Sequence, residues 1–91
     1  MSVRLSAFDR RLLDAVRQRQ PKAYGVTIQD ELGGRTGRDY SFGTIYAGLD
    51  RLETKGLLDS RLGEATAQRR WRHKVYYALT TAGDAAMRVP E

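Results

Sequence analysis

The stretch SFGTIYAGLDRLETKGLL, residues 41–58, decides the fold. Ser41 can cap a helix with its hydroxyl group, and the apolar residues behind it recur at helical spacing. This inner face consists of Phe42, Ile45, Leu49 and Leu52. Gly56 is expected to end the helix because glycine readily takes the left-handed cap conformation, and Lys55 suits the negative end of the helix dipole. The stretch therefore predicts an amphipathic helix from Ser41 to Gly56.

A second amphipathic helix is predicted near the start of the chain. Ser6 can cap it, and Asp9 stands three residues further on as a weak capping-box partner. Its apolar face comprises Leu5, Phe8, Leu12, Ala15 and Val16. Gln20-Pro21 is expected to close this helix, because the residue before a proline resists the α region.

Between these two helices lies a third, predicted from about Tyr24 to Leu32. Tyr24, Ile28 and Leu32 are spaced by four and share one stripe, and Gly33-Gly34 is expected to end the helix. Residues 35–40 are polar, contain glycine and show no period, so they predict a turn. Two helices joined by such a turn form a helix-turn-helix unit.

The pattern changes after Gly56. Residues 57–62 fit a short strand with Leu58 and Leu62 on one side, and residues 74–79 fit a second strand. Thr80 is expected to cap a final short helix that runs to about Met87. The predicted order is three helices, two strands and a helix. The fold class is therefore mainly α with a small β-hairpin, a winged helix-turn-helix that occupies residues 1–91 as a single domain.

The outer face of the helix that starts at Ser41 is suited to the major groove of DNA. It carries Gly43, Thr44, Ala47, Asp50, Arg51 and Thr54, which are mostly short and would let the backbone approach base edges. A glycine inside a helix costs on the order of 1 kcal/mol, which close approach to DNA or to a neighbouring helix would offset at Gly43 and Gly48. The helical residues predicted to contact DNA are Tyr24, Ser41, Gly43, Thr44, Tyr46, Ala47, Asp50 and Arg51.

The predicted hairpin holds the densest run of positive charge in the chain. These residues surround Trp71 and are Arg69, Arg70, Arg72, His73 and Lys74. Cations next to a helix-turn-helix favour contact with phosphates, although most basic runs are simply solvated. Two roles are open for Trp71, packing beneath the arginines or a dimer contact, and packing is the favoured one.

Composition excludes several classes of protein. The chain has 91 residues, a net charge of +5, no cysteine and one histidine, so disulfides, thiolate chemistry and a metal site are not expected. No apolar run approaches the roughly 20 residues that span a bilayer. We therefore expect a cytoplasmic protein with no cofactor and no membrane contact.

The sequence resembles the PadR family of regulators over about residues 8 to 87. The most specific part is the run Gly43-Thr44-Ile45-Tyr46, Leu49, Arg51-Leu52-Glu53 and Gly56-Leu57-Leu58. Supporting segments are Ala23-Tyr24-Gly25-Val26-Thr27-Ile28, Lys74, Tyr76-Tyr77, Leu79-Thr80 and Ala82-Gly83. The resemblance implies a dimeric bacterial repressor that binds a pseudo-palindromic operator in double-stranded DNA. It also implies recognition through Ser41, Gly43, Thr44 and Tyr46, with wing cations on the phosphates.

The chain departs from the family pattern at three positions of the predicted recognition helix. Phe42 and Ala47 stand where the family often has proline, and Asp50 stands where a basic residue is common. Asp50 can instead accept a hydrogen bond from cytosine N4. The resemblance therefore predicts the fold, but it does not predict which DNA sequence the protein recognises.

Many members of the family continue into a long dimerisation helix, whereas the last helix predicted here has roughly two turns. A homodimer would then form through the first helix, the last helix or both. The predicted dimer contacts are Leu5, Leu12, Leu13 and Met87, of which Leu12 is also a core candidate. No effector pocket is defined by the sequence.

Two other classes of function are compatible with a small basic domain. A winged helix can dock on proteins through the same helix face, but such modules usually lack a concentrated cationic wing. An enzyme would need a nucleophile–base pair, a phosphate loop or a metal cluster. Pairs such as Asp50 with Glu53 are instead expected to be solvated or paired with arginine, so we predict that the chain is not an enzyme.

Overall fold

A computed structural model describes residues 4–63 and 74–89, with the side chain of Arg35 excepted. Its elements are α1 (Ala7–Gln18), α2 (Gly25–Thr36), α3 (Phe42–Thr54), β1 (Leu58–Leu62), β2 (Val75–Leu79) and α4 (Thr81–Met87). The strands pair antiparallel, with Leu58 opposite Leu79 and Leu62 opposite Val75. The predicted order and fold class are confirmed: a helix-turn-helix is followed by a two-stranded wing and a short helix.

The helix starts that were predicted from local capping signals are confirmed. Ser6 Oγ accepts from the Asp9 N–H at 3.0 Å, while Asp9 Oδ2 accepts from the Ser6 N–H at 3.3 Å, which completes a capping box at α1. Ser41 caps α3 by accepting from the Thr44 N–H, and Thr80 caps α4 by accepting from the Gly83 N–H. Each cap satisfies an amide that has no partner within its own helix.

The predicted end of α2 is wrong. Gly33 and Gly34 remain helical, and α2 ends at Thr36, with Gly37 as a left-handed cap at a φ of 68°. The Gly37 N–H donates to the Gly33 carbonyl at 2.9 Å. A glycine favours a helix end but does not require one, and here the cap is Gly37, five residues before α3 begins at Phe42.

The core lies where the first three helices meet the hairpin. Its fully buried large side chains are Leu12, Leu13, Val16, Ile28, Leu32, Ile45, Leu49, Leu52, Leu57 and Leu58. Leu12 and Leu13 were predicted as dimer contacts, and this is wrong because both are 0% exposed within one chain. Leu5 and Met87 lie partly buried at the edge of the core, where their proposed dimer role stays a prediction.

Several long-range hydrogen bonds hold the hairpin beside the helix-turn-helix. The Tyr77 N–H donates to the Ala23 carbonyl at 2.8 Å, and Gln20 Nε2 donates to the Tyr77 carbonyl at 2.7 Å. Leu58 is buried at the base of the hairpin, whereas Leu62 is 68% exposed near its far end. The wing is therefore anchored at its base, next to the loop that precedes α2.

Within the described ranges, none of the four helices combines the length and the apolar character that crossing a membrane requires.

Candidate nucleic-acid interface

The two sides of α3 differ sharply in burial. Its inner side, formed by Ile45, Gly48, Leu49 and Leu52, is buried against the core. The outer residues are all exposed and comprise Ser41, Gly43, Thr44, Tyr46, Ala47 and Asp50. All six belong to the set predicted to contact DNA, and the structure brings them together on one continuous surface. Their contact with DNA itself stays a prediction.

The first turn of α3 is held by its cap. Ser41 Oγ accepts from the Thr44 N–H at 3.1 Å and donates to Thr44 Oγ1 at 2.9 Å. The cap satisfies one first-turn amide, and the helix dipole places partial positive charge at this end. The first turn therefore has the polarity that suits a phosphate oxygen.

Phe42 was predicted to lie on the inner face of α3, and this is wrong because the side chain is 42% exposed. Phe42 opens the helix, and side chains in a helix lean toward its N-terminus, so its ring lies beyond the end of the core. There it stacks on Tyr46 with ring centroids 6.3 Å apart. Tyr46 in turn lies against Gly25, where a Cβ atom would overlap the phenol oxygen.

Arg51 is not the free outward cation that the sequence predicted. Its Nη2 donates to Asp9 Oδ1 at 2.6 Å, although its side chain remains 46% exposed. Burial alone would raise the pKa of the Asp9 carboxyl, but the hydrogen bonds from Arg51 and the Ser6 backbone outweigh it, so this pKa is lowered. The pair joins α1 to α3 across 42 residues of sequence. The sequence showed Asp9 as a capping residue and could not show this second role.

Tyr24 and Lys74, both predicted DNA contacts, meet at the far end of the paired strands, where the Lys74 carbonyl accepts from the Gly63 N–H. Lys74 Nζ lies 4.5 Å from the centroid of the Tyr24 ring. Tyr24 packs edge-to-face on Tyr76, whose ring also carries Arg61 at 4.9 Å. These cation–π contacts hold this end of the hairpin against Tyr24, the residue that precedes α2.

Lys74 also lines a cleft together with Phe42 and Tyr46 of α3. This cleft, of about 330 Å³, lies between the far end of the paired strands and α3. It is lined by Tyr24, Gly25, Val26, Phe42, Tyr46, Lys74 and Val75. The remaining predicted wing contacts, Arg69, Arg70, Arg72 and His73, lie outside the described residues, as does Trp71.

Tyr77 lies behind the interface, on the strand that faces the core. Burial raises the pKa of its phenol to about 12, and the negative charge of Asp50 adds to the effect. Tyr77 is part of the buried core and is only 6% exposed. Sequence reasoning placed it on the second strand but did not connect it with Asp50.

The chain is similar to known proteins in both sequence and structure. The PadR-like family of transcriptional regulators matches residues 12–89. No curated protein matched the chain. Among solved structures, a PadR family transcription regulator from hypervirulent Clostridium difficile R20291 has a TM-score of 0.74 at 23% identity, covering 90% of this chain and 80% of that one.

Two further structures are similar. A transcriptional regulator, TA0346 from Thermoplasma acidophilum, has a TM-score of 0.73 at 20% identity, covering 87% of this chain and 71% of that one. The complex structure of hsRosR-S4 has a TM-score of 0.71 at 30% identity, covering 91% of this chain. The chain spans only 64% of the length of hsRosR-S4. The family match extends over most of the chain, and the chain belongs to the PadR-like family of transcriptional regulators, whose members are not enzymes.

Proposed function

We propose that this chain is a sequence-specific DNA-binding repressor that acts as a homodimer on a pseudo-palindromic operator in the cytoplasm. In this proposal the outer face of α3 lies in the major groove and the wing contacts neighbouring phosphates. The observation that carries it is the exposed surface of short residues on α3, held in place by a buried inner side. Tyr46 on this surface lies against Gly25, whereas Gly43 has open space around it within the described residues, which suits a surface that meets a partner.

The shape of this surface supports insertion into a groove. Gly43 and Ala47 are four residues apart and lie on one stripe of α3. A Cβ atom at Gly43 would meet nothing nearer than Ser41 Oγ at 3.9 Å within the described residues. An α-helix fits the major groove of B-DNA, and short side chains allow its backbone to come close to the base edges.

Charge supports the same placement. The net charge is +5, and the run Arg69 to Lys74 concentrates cations in the wing. Lys74 is held over the Tyr24 ring next to α3, so the described end of that run already lies beside the proposed groove-binding surface. Phosphate neutralisation by such cations makes binding strongly dependent on salt.

The dimer is proposed through α1 and α4. Leu5 precedes α1 and Met87 ends α4, and each is only partly buried against the core. Repression and the pseudo-palindromic operator follow from the family resemblance. They require two copies of α3 spaced about one helical turn of DNA apart.

The proposal is tested by selecting duplexes from a random library with the full chain, then measuring affinity by fluorescence anisotropy at two salt concentrations. We expect an enriched, two-fold symmetric sequence that binds much more tightly than a scrambled duplex. Equal and weak binding to both duplexes would reduce the function to non-specific contact. Absence of binding at low salt would overturn the proposal and favour docking on a protein.

The role of the wing is tested with the double variant Arg69→Ala, Arg70→Ala. Its salt slope on duplex DNA is expected to fall by about 1.8, because each phosphate that a cation neutralises adds about 0.9 to the slope. Lys22→Ala with Lys55→Ala removes the same charge from exposed residues that lie outside the wing and outside α1 and α4. An equal fall in this control would show that only net charge matters.

A further inference from the structure

Phe42 is an aromatic residue that the fold exposes. Its side chain is 42% exposed at the first position of α3, and its flanking residues Ser41 and Gly43 are exposed as well. The ring is nevertheless held in place, because it stacks on Tyr46, and Tyr46 lies against the backbone at Gly25. Phe42 therefore presents a fixed apolar face to whatever binds this end of α3.

The surroundings of the ring indicate the chemistry of that partner. Lys74 lines the same cleft, and the capped N-terminal turn of α3 adds partial positive charge beside the ring. Aromatic side chains are enriched at protein–protein interfaces whereas lysine is depleted, so the ring alone would suit a protein partner and the positive groups beside it favour a polyanion. An apolar ring among positive groups suits a polyanion that also presents apolar groups.

Double-stranded DNA presents one such group in its major groove. The C5 methyl of thymine is the apolar feature of the base edges there, and apolar side chains, phenylalanine included, contact it. We infer that Phe42 is a specificity-determining residue that contacts a thymine methyl in each half-site of the operator. The inference rests on the proposed function, because it requires the first turn of α3 to enter the major groove.

The test uses deoxyuridine, which differs from thymidine only by the absence of that methyl. Each thymine of the selected duplex is replaced by uracil in turn, and affinity is measured with the full chain and with Phe42→Ala. We expect at least one replacement to weaken binding by the wild-type chain about fourfold, the factor for removing one buried methyl-sized group. Phe42→Ala is expected to bind both duplexes equally.

Two further variants sharpen the result. Phe42→Leu keeps an apolar side chain and is expected to retain part of the difference between thymine and uracil. Val89→Ala removes another exposed apolar side chain, 48% exposed and beyond α4, and is expected to retain all of it. Because Phe42 is exposed, circular dichroism of Phe42→Ala is expected to match that of the wild-type chain.

Three results would overturn the inference. In the first, replacing thymine by uracil has no effect at any position of the duplex. In the second, the effect of uracil persists undiminished in Phe42→Ala, which would assign the methyl contact to another residue. In both cases a duplex is still selected, so the proposed function stands. If no duplex is enriched over scrambled DNA, the proposed function fails and the inference falls with it.

Discussion

Gly43 and Gly48 lie in the same helix, and the structure surrounds them very differently. A Cβ atom at Gly48 would lie 2.7 Å from Leu12 Cδ2 and 3.0 Å from Phe8 Cε2. At Gly43 it would meet nothing nearer than Ser41 Oγ at 3.9 Å among the described residues. Packing against α1 therefore requires one glycine, whereas nothing within the described fold requires the other. Under the proposed function, the open space at Gly43 leaves room for DNA to approach α3 from outside.

The two glycines lie on two different surfaces of α3. On the side of Gly48, burial and the Asp9–Arg51 ion pair tie the helix to α1. On the side of Gly43, the residues are short and exposed. Substitutions on the first side should change the free energy of unfolding, and substitutions on the second should change affinity for DNA.

The largest effect is expected from Leu12→Ala, on the α1 side of the contact with Gly48. Leu12 is 0% exposed, so truncation leaves a cavity and is expected to lower the free energy of unfolding by about 3 kcal/mol. Urea denaturation measures this decrease. Leu62→Ala, 68% exposed, is the control and should change stability by less than about 0.5 kcal/mol. Similar small decreases in both variants would contradict the burial of Leu12.

Asp9→Asn tests the ion pair between α1 and α3. Loss of the charged acceptor for Arg51 is expected to lower the free energy of unfolding by about 1 to 2 kcal/mol at pH 7, since the pair is partly exposed. The pKa of Asp9 is lower in the folded chain than in the unfolded one. The pair therefore stabilises the fold above the unfolded pKa of about 3.9, and this stability is lost as pH falls through the folded pKa.

The measurement is urea denaturation of the wild-type chain and Asp9→Asn from pH 7 to pH 2. The gap in stability between the two should narrow at the acid end of that range. A gap that stays constant with pH would show that the carboxylate charge of Asp9 does not act in the pair.

Gly48→Ala and Gly43→Ala test the comparison directly. Gly48→Ala is expected to destabilise the fold by about 1 kcal/mol, because overpacking against Leu12 and Phe8 exceeds the gain in helix propensity. Gly43→Ala is expected to stabilise it by about 0.5 to 1 kcal/mol, since the new methyl enters open space. The same Gly43→Ala should weaken binding to the selected duplex. Equal changes in stability at both sites would refute the distinction.

The smallest effect on stability is expected from Thr44→Ala, on the exposed side of α3. Its stability should stay within about 0.5 kcal/mol of the wild-type value, while affinity for the selected duplex falls by about 1 kcal/mol, as for one hydrogen bond. Anisotropy titrations with selected and scrambled duplexes measure this. An equal decrease on scrambled DNA would mean that Thr44 positions the protein on the phosphates and does not read bases.

Features that depend on near neighbours along the chain could be predicted from the sequence. The caps at Ser6, Ser41 and Thr80 and the order of helices and strands were predicted correctly. Each depends on hydrogen bonds or hydrophobic periods within a few residues. The exposed side of α3 was predicted for the same reason, because the helical period places it about half a turn away from the buried leucines.

The packing of the elements against one another determines which surfaces are covered and which residues cover them. Helical periodicity placed Phe42 in the core, and Leu13 was predicted as a dimer contact. Phe42 instead lies beyond the end of the core and is exposed, whereas Leu13 is fully buried within it. The Asp9–Arg51 pair joins residues 42 positions apart, and Gly37 rather than Gly33 ends α2. These outcomes depend on how the helices pack against one another, and local propensity carries no information about distant partners.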